Sequence, residues 1–145
     1  MRNVLAAFAA LLALAIAGCG IGGGSSGPEA GRSGSPVAKV EVSESRGFGS
    51  FYPEPFVTYE GESSAATIER IAKAIREAEK QPGIVNVAEP KYDVRLTSRD
   101  GSTAAYHLWL DARYEHATIM DAEETHYIYR ISAESTADLL EIIGE

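Results

Sequence analysis

The sequence predicts an α+β domain in which an antiparallel meander sheet of about four to five strands carries two helices on one face. Three observations support this fold class. Short segments alternate apolar and polar residues, two stretches repeat apolar residues at helical spacing, and Asp100-Gly101 is a strong hairpin signal. The expected element order is β-α-β-β-β-β-α. The domain should span residues 37–145, which is long enough to bury a core without disulfides.

The first two elements are a strand and the clearest helix of the chain. Residues 37–43 alternate valines with polar residues, which is typical of a strand with one buried face. Residues 44–61 contain several glycines and prolines and are expected to be irregular or only briefly extended. A helix is predicted over residues 63–80, capped by Ser63 or Ser64. Its apolar stripe consists of Ile68, Ile71, Ala72, Ile75 and Ala78.

The second half of the domain contains the remaining strands and a terminal helix. Apolar alternation on both sides of Asp100-Gly101 predicts a hairpin, and two shorter alternating segments follow it. Ser135 is a candidate cap for a final helix whose buried side holds leucines and isoleucines. The further strands are expected at residues 92–97, 103–111, 116–120 and 125–132.

The N-terminal segment is typical of a lipoprotein signal peptide, which we expect to be residues 1–18. A basic residue, Arg2, precedes an apolar run that is shorter than the roughly 20 residues of a membrane span. The run ends in Ile16-Ala17-Gly18-Cys19, which predicts cleavage between Gly18 and Cys19 and a diacylglyceryl thioether on the Cys19 sulfur. The alternative is a plain secretory leader with a cysteine near its cleavage site. Cys19 is the single cysteine of the chain, and the leader explains its presence.

Composition predicts how the domain is held at the cell surface. Residues 19–36 are expected to be an acylated cysteine followed by a disordered Gly/Ser/Pro tether. The formal net charge of −8 disfavours binding to nucleic acid and to anionic lipid. Membrane attachment is therefore expected through the lipid on Cys19, on the extracytoplasmic face of the cell membrane. An envelope protein or a cell-wall component is the expected kind of partner.

Three histidines fall in the predicted meander: His107, His116 and His126. Strand alternation places His107 and Trp109 on the face away from the helices, looking outward. With consistent registers the three imidazoles share this open face and could bind zinc or copper. Their spacings are not a metal signature, however, and ordinary cross-strand packing without metal or cofactor is the favoured interpretation. The candidate binding surface on this face consists of His107, Trp109, His126 and Arg130.

A second candidate surface is the aromatic-rich stretch 48–59. Its rings could dock a peptide, a glycan or a partner protein. The interpretation that the sequence favours is that they cover the sheet edge or plug the core. The aromatic residues are Phe48, Phe51, Tyr52, Phe56 and Tyr59.

Two groups of carboxylates are candidates for a catalytic pair or a calcium site. Asp111 and Glu115 flank a turn and could form the carboxylate pair of a glycosidase, although acidic residues at a hairpin end are usually solvated. Asp121, Glu123 and Glu124 could touch calcium but lack the pattern of a dedicated loop. The sequence contains no nucleophile elbow, phosphate-binding loop or zinc-protease motif, so an enzyme is not expected.

Five strings spread across residues 38–143 form a recognisable pattern. They are Ser45-Arg46-Gly47-Phe48-Gly49, Ala78-Glu79-Lys80-Gln81-Pro82-Gly83-Ile84-Val85, Ala88-Glu89-Pro90-Lys91-Tyr92-Asp93-Val94, Tyr106-His107-Leu108-Trp109-Leu110-Asp111 and Thr125-His126-Tyr127-Ile128-Tyr129-Arg130-Ile131-Ser132. With these strings the chain resembles the YhfM-like small lipoproteins of Bacillus-type bacteria. The resemblance implies a firmicute-type envelope and an uncharacterised domain, and it implies no catalytic residues.

The expected function is a membrane-anchored binding or interaction module. The alternative is a small metal-binding or hydrolytic lipoprotein that uses the histidine-bearing face.

Overall fold

The computed structural model describes residues 27–28, 34–49, 54–83 and 86–144. The predicted signal peptide, with Gly18 and Cys19, lies outside the described residues, as do Phe51 and Tyr52 of the aromatic stretch. In chain order the elements are β1 (Val37–Glu44), β2 (Val57–Glu60), a 3₁₀ turn (Glu62–Ser64), α1 (Ala65–Arg76), β3 (Glu79–Lys80), β4 (Tyr92–Ser98), β5 (Thr103–Trp109), β6 (Thr118–Asp121), β7 (Tyr129–Arg130) and α2 (Ala133–Ile143).

The α+β prediction is confirmed. The strands form one antiparallel sheet in the order β2-β1-β4-β5-β6-β7-β3. Because β2 and β3 lie at opposite edges, α1 carries the chain from one edge of the sheet to the other. The described strands number seven rather than four to five, and the additional ones are the short edge strands β2 and β3.

The core lies between the helices and one face of the sheet. The apolar stripe of α1 packs there with its predicted members Ile71 and Ile75, and α2 contributes Leu139 and Ile143. The alternating residues of the central strands fill the layer from the other side. Each such side chain contributes roughly 1.5–3 kcal/mol through burial. The largest fully buried apolar residues from the sheet are Val40, Val42, Val94, Leu96, Tyr106, Leu108 and Ile119. Among the described helices, none combines the length and apolar character needed to span a membrane.

The first helix is shorter than predicted. It ends at Arg76, and residues 79–80 form β3, which pairs with β7 through Glu79–Arg130 and Lys80–Tyr129. Edge pairing satisfies their backbone groups and overrides the helical pattern of the sequence. Ser64 occupies the N-cap position, but its side chain makes no capping hydrogen bond.

The last strand and helix also differ from the prediction. Residues 125–126 form a turn, and only Tyr129–Arg130 of the predicted strand pairs with neighbouring strands. The preceding turn begins at Asp121, whose Oδ1 accepts hydrogen bonds from the amides of Glu123 and Glu124. The final helix is capped by Ser132, which accepts from the Ser135 amide at 3.1 Å, rather than by Ser135.

Candidate functional site

A row of buried residues crosses the sheet on the face away from the helices. Ser43, Asp93, His107 and Met120 come from four neighbouring strands and lie side by side in the strand register. They alternate with core residues such as Tyr106, so parity turns them to the opposite face. Their exposed fractions are 4%, 0%, 2% and 4%. A face predicted to be open is therefore covered along this row.

At the centre of the row, a carboxylate and an imidazole form a buried pair. His107 Nδ1 lies 2.7 Å from Asp93 Oδ1. Since the carboxylate accepts, Nδ1 carries the proton in this contact, which fixes the orientation and tautomer of the ring. Asp93 Oδ2 is buried with no hydrogen-bond partner among the described residues. An imidazole oriented by a carboxylate is the arrangement of a general base, so the pair is chemically suited to proton transfer if it is reached.

The pair is covered by the loop after β1. The Phe48 ring meets the His107 ring edge-on, with centroids 5.5 Å apart, and lies 6.0 Å from the Trp109 ring. Gly47 and Gly49 both have φ of 90°, which lets the chain turn sharply on either side of Phe48. Phe48 itself is 46% exposed. His107 thus lies on the predicted face, but the prediction that it looks outward is wrong because Phe48 closes over it.

Trp109 and Arg130 share this face, two strands apart. Their side chains follow one row because Thr118 pairs with both residues. Trp109 is half-buried and its indole N–H donates to the Ala88 carbonyl at 2.9 Å, while Arg130 pairs with Glu79 at 3.1 Å. Trp109 and Arg130, which belong to the expected binding surface, therefore hold neighbouring segments in place.

The other two histidines lie apart from the buried pair. The His116 Nδ1 is 3.0 Å from the Ile131 carbonyl and its Nε2 is 3.9 Å from Glu115. His126 is exposed in the turn before β7. Within the described part of the chain, no three His, Cys, Asp or Glu side chains are grouped to hold a metal ion.

The candidate carboxylate pair is dominated by a neighbouring cation. Both oxygens of Asp111 accept from Arg113 Nε at 3.0 Å. Arg113 lowers the pKa of Asp111 to about 2, through its side-chain hydrogen bonds above all. Asp111 is therefore held ionised, whereas a glycosidase acid needs a raised pKa. Glu115 contacts His116 instead.

An open groove lies at one end of the sheet, beside the residues that link β1 to β2. It has a volume of about 490 Å³, and a second depression of about 330 Å³ adjoins it through the shared residues Glu44 and Phe56. Phe56 is 53% exposed, and its ring lies 5.9 Å from the buried ring of Tyr92. Lys91 Nζ lies 5.0 Å from the centroid of Tyr92. Together the two hollows are lined by Glu44, Ser45, Arg46, Glu54, Pro55, Phe56, Pro90, Lys91, Tyr92 and Ile143.

The groove was partly visible in the sequence. Phe56 belongs to the aromatic stretch 48–59, but the sequence favoured a covering role for it. Glu44, Lys91 and Tyr92 were not among the candidates, because the pairing of β1 with β4 brings them together from distant parts of the chain. The proline-rich segments before β2 and β4 were the available signal, since such loops often line binding sites.

The chain matches a protein family, and its fold is similar to that of a solved structure. A family model described as YhfM protein matches residues 63–145, which is more than half of the chain. A solved structure with a similar fold is that of a thioesterase-like protein from Clostridium sporogenes. It has a TM-score of 0.55 and 14% sequence identity, and the match covers 74% of this chain and 94% of that one. No curated protein matches the chain.

Proposed function

The chain belongs to the YhfM family, and on that premise we propose that it is a lipid-anchored extracytoplasmic protein whose domain binds a peptide segment of an envelope partner. The observation that carries the binding role is the groove beside Phe56, with its exposed ring above a buried tyrosine. Its volume of about 490 Å³ falls in the range of ligand pockets. The anchoring role is supported by the order of basic residue, apolar run and Cys19 in the sequence.

A peptide fits the groove because its lining combines apolar and charged groups. Phe56, Pro55 and Pro90 contribute apolar side chains, and charged residues of both signs line the two hollows beside them. Protein–protein interfaces combine apolar and polar contacts in the same way. The acidic and basic lining residues complement a segment that carries an apolar side chain next to charges of both signs. These charged residues are Glu44, Glu54, Arg46 and Lys91.

Anchoring is tested by replacing the residue that takes the lipid. Cys19→Ser should abolish labelling with radioactive palmitate, because the serine hydroxyl cannot form the thioether. Ser26→Ala is a matched change in the same segment and should leave labelling intact. Palmitate labelling of the Cys19→Ser protein would show that the lipobox assignment is wrong.

Peptide binding is tested with a photo-crosslinking residue in living cells. Phe56→benzoylphenylalanine should yield an adduct of discrete mass, and proteolysis of that adduct should release one recurrent peptide from an envelope protein. Tyr114→benzoylphenylalanine is the control, because Tyr114 is even more exposed, at 65%, and lies outside the groove. An adduct with glycan or lipid, or equal crosslinking at both positions, would contradict a peptide-binding groove.

Hydrolysis at the Asp93–His107 pair is the second candidate function. The 2.7 Å contact favours it, since it orients the imidazole as a base. It ranks below peptide binding because His107 is 2% exposed, so a substrate would first have to displace Phe48.

A further inference from the structure

Two residues of the predicted tether are packed against the folded domain. Pro28 is buried, and Gly27 lies against the C-terminal end of α1. A Cβ atom at position 27 would overlap the carbonyl oxygen of Arg76 and lie 3.0 Å from that of Ala78. Both oxygens are backbone atoms near the end of a helix, so moving them aside would distort the helix end. The expectation of a tether without fixed contacts is therefore wrong at these two residues.

We propose that Gly27-Pro28 is a clip that shortens the tether and turns one edge of the domain towards the membrane. The proposal rests on the acylation of Cys19 proposed above. With the clip closed, the eight steps from Cys19 to Gly27 can span at most about 28 Å. Without it, the tether extends to Pro36, whose carbonyl accepts a hydrogen bond from the Arg99 amide, and the seventeen steps from Cys19 to Pro36 can span about 60 Å. The clip thus halves the reach of the anchor.

The position of the clip determines which edge faces the lipid. Gly27 contacts residues that immediately precede β3, an edge strand, whereas the groove beside Phe56 adjoins β1 near the other edge. Five strand intervals separate β1 from β3, which is about 24 Å measured along the sheet. The clip therefore holds the β3 edge towards the bilayer and presents the groove away from it, where a partner protein can reach it.

The clip can be tested because the contact with α1 leaves room only for glycine at position 27. Gly27→Val should open it, because a branched side chain would collide with the helix end. Gly24→Val adds the same side chain upstream of the clip and is the matched control. Gly27→Val would displace the buried Pro28 but changes no residue of a helix or strand, so circular dichroism should show unchanged secondary structure.

The orientation is measured on the lipidated chain in phospholipid vesicles. Cys19 is the single cysteine, and its sulfur is consumed by the lipid, so an introduced cysteine is the sole free thiol. Fluorophores at Glu77→Cys, beside the clip, and at Glu62→Cys, at the far end of α1, are quenched by acceptors on lipid headgroups. The 12 residues of α1 lie between these probes and span about 18 Å. The probe at 77 should lie closer to the bilayer, and Gly27→Val should move it away and remove the difference, while Gly24→Val should not.

Failure of the clip is distinguishable from failure of the anchor. Intact mass establishes first whether the chain is acylated. If the protein is acylated but both probes lie at the same distance from the bilayer, or if Gly27→Val does not change these distances, the clip is refuted and the lipid anchor is not. Independently of lipid, residues 19–145 with Cys19→Ser should show nuclear Overhauser contacts between the Gly27 Hα protons and the backbone of residues 76–78. Their absence overturns the clip even if no acyl group is found.

Discussion

Replacing Asp93 by alanine should destabilise the protein, because it leaves the buried His107 without its carboxylate. Asp93 is 0% exposed and His107 is 2% exposed, so water cannot replace the lost partner. Leaving a buried hydrogen-bonding group without its partner costs about 1–3 kcal/mol. Total stabilities are about 5–15 kcal/mol, so this loss is a substantial share of the free energy of unfolding. With an m-value of about 1.5 kcal/mol per molar, the urea midpoint should fall by about 1–2 M.

The isosteric change provides the internal comparison. Asp93→Asn keeps the shape of the side chain and an oxygen that can accept from His107 Nδ1 at the observed 2.7 Å. It exchanges a charge-assisted hydrogen bond for a neutral one, which should cost about 1 kcal/mol. Glu60→Gln, at an exposed position on the edge strand β2, is the matched control and should leave the urea midpoint unchanged.

The assay is urea unfolding of the mature chain in a Cys19→Ser background, followed by circular dichroism. The double variant Asp93→Ala/His107→Ala should lose less than the sum of the single variants, since each single change already breaks the same contact. Additive single losses would refute the reasoning, as would a loss below about 1 kcal/mol for Asp93→Ala. Either result would mean that the two side chains do not stabilise the fold as a pair.

Two further predictions concern the attachment of α2. Thr136 is buried, and its hydroxyl accepts a hydrogen bond from the Ala117 amide at 2.8 Å. Thr136→Val should lower the free energy of unfolding by about 1–3 kcal/mol, because it leaves that amide unpaired. An unchanged urea midpoint would contradict this prediction. Arg70 lowers the pKa of Asp138 below its ordinary 3.8, chiefly through a hydrogen bond of 2.6 Å. A lowered folded pKa means that this stabilisation is present above pH 3.8 and is lost as the pH falls through the folded value. When the urea midpoint is plotted against pH, Asp138→Asn should therefore flatten the acidic part of the curve. A curve that keeps its slope would show that the Arg70–Asp138 contact does not set the acid dependence of stability.

The fold class followed from periodicity because periodicity is a local property. Alternation in β1, β4 and β5 and the stripe Ile68, Ile71 and Ile75 each assign an element and its buried face without knowledge of its neighbours. The same reasoning failed at Glu79-Lys80, where the residues continue a helical pattern but pair with β7. A two-residue edge strand is specified by its partner, and that partner lies some fifty residues later in the chain.

The candidate sites depended on the tertiary structure for a similar reason. Parity alone places His107 on the face away from the helices, but it cannot show that Phe48 folds back over the ring. Parity also cannot show that strand pairing brings Asp93 Oδ1 to 2.7 Å from His107 Nδ1. The groove likewise exists because β1, β4 and the end of α2 meet at one end of the sheet.

By itself the sequence determined the class of the fold, the family resemblance and the expectation of a lipid anchor, since each depends on residues that are close along the chain. The tertiary structure decided which polar groups are buried together, which hollow remains open and where Gly27 touches the domain. Those features depend on chain closure between distant segments, and short-range patterns of hydrophobicity carry no information about which distant surfaces meet.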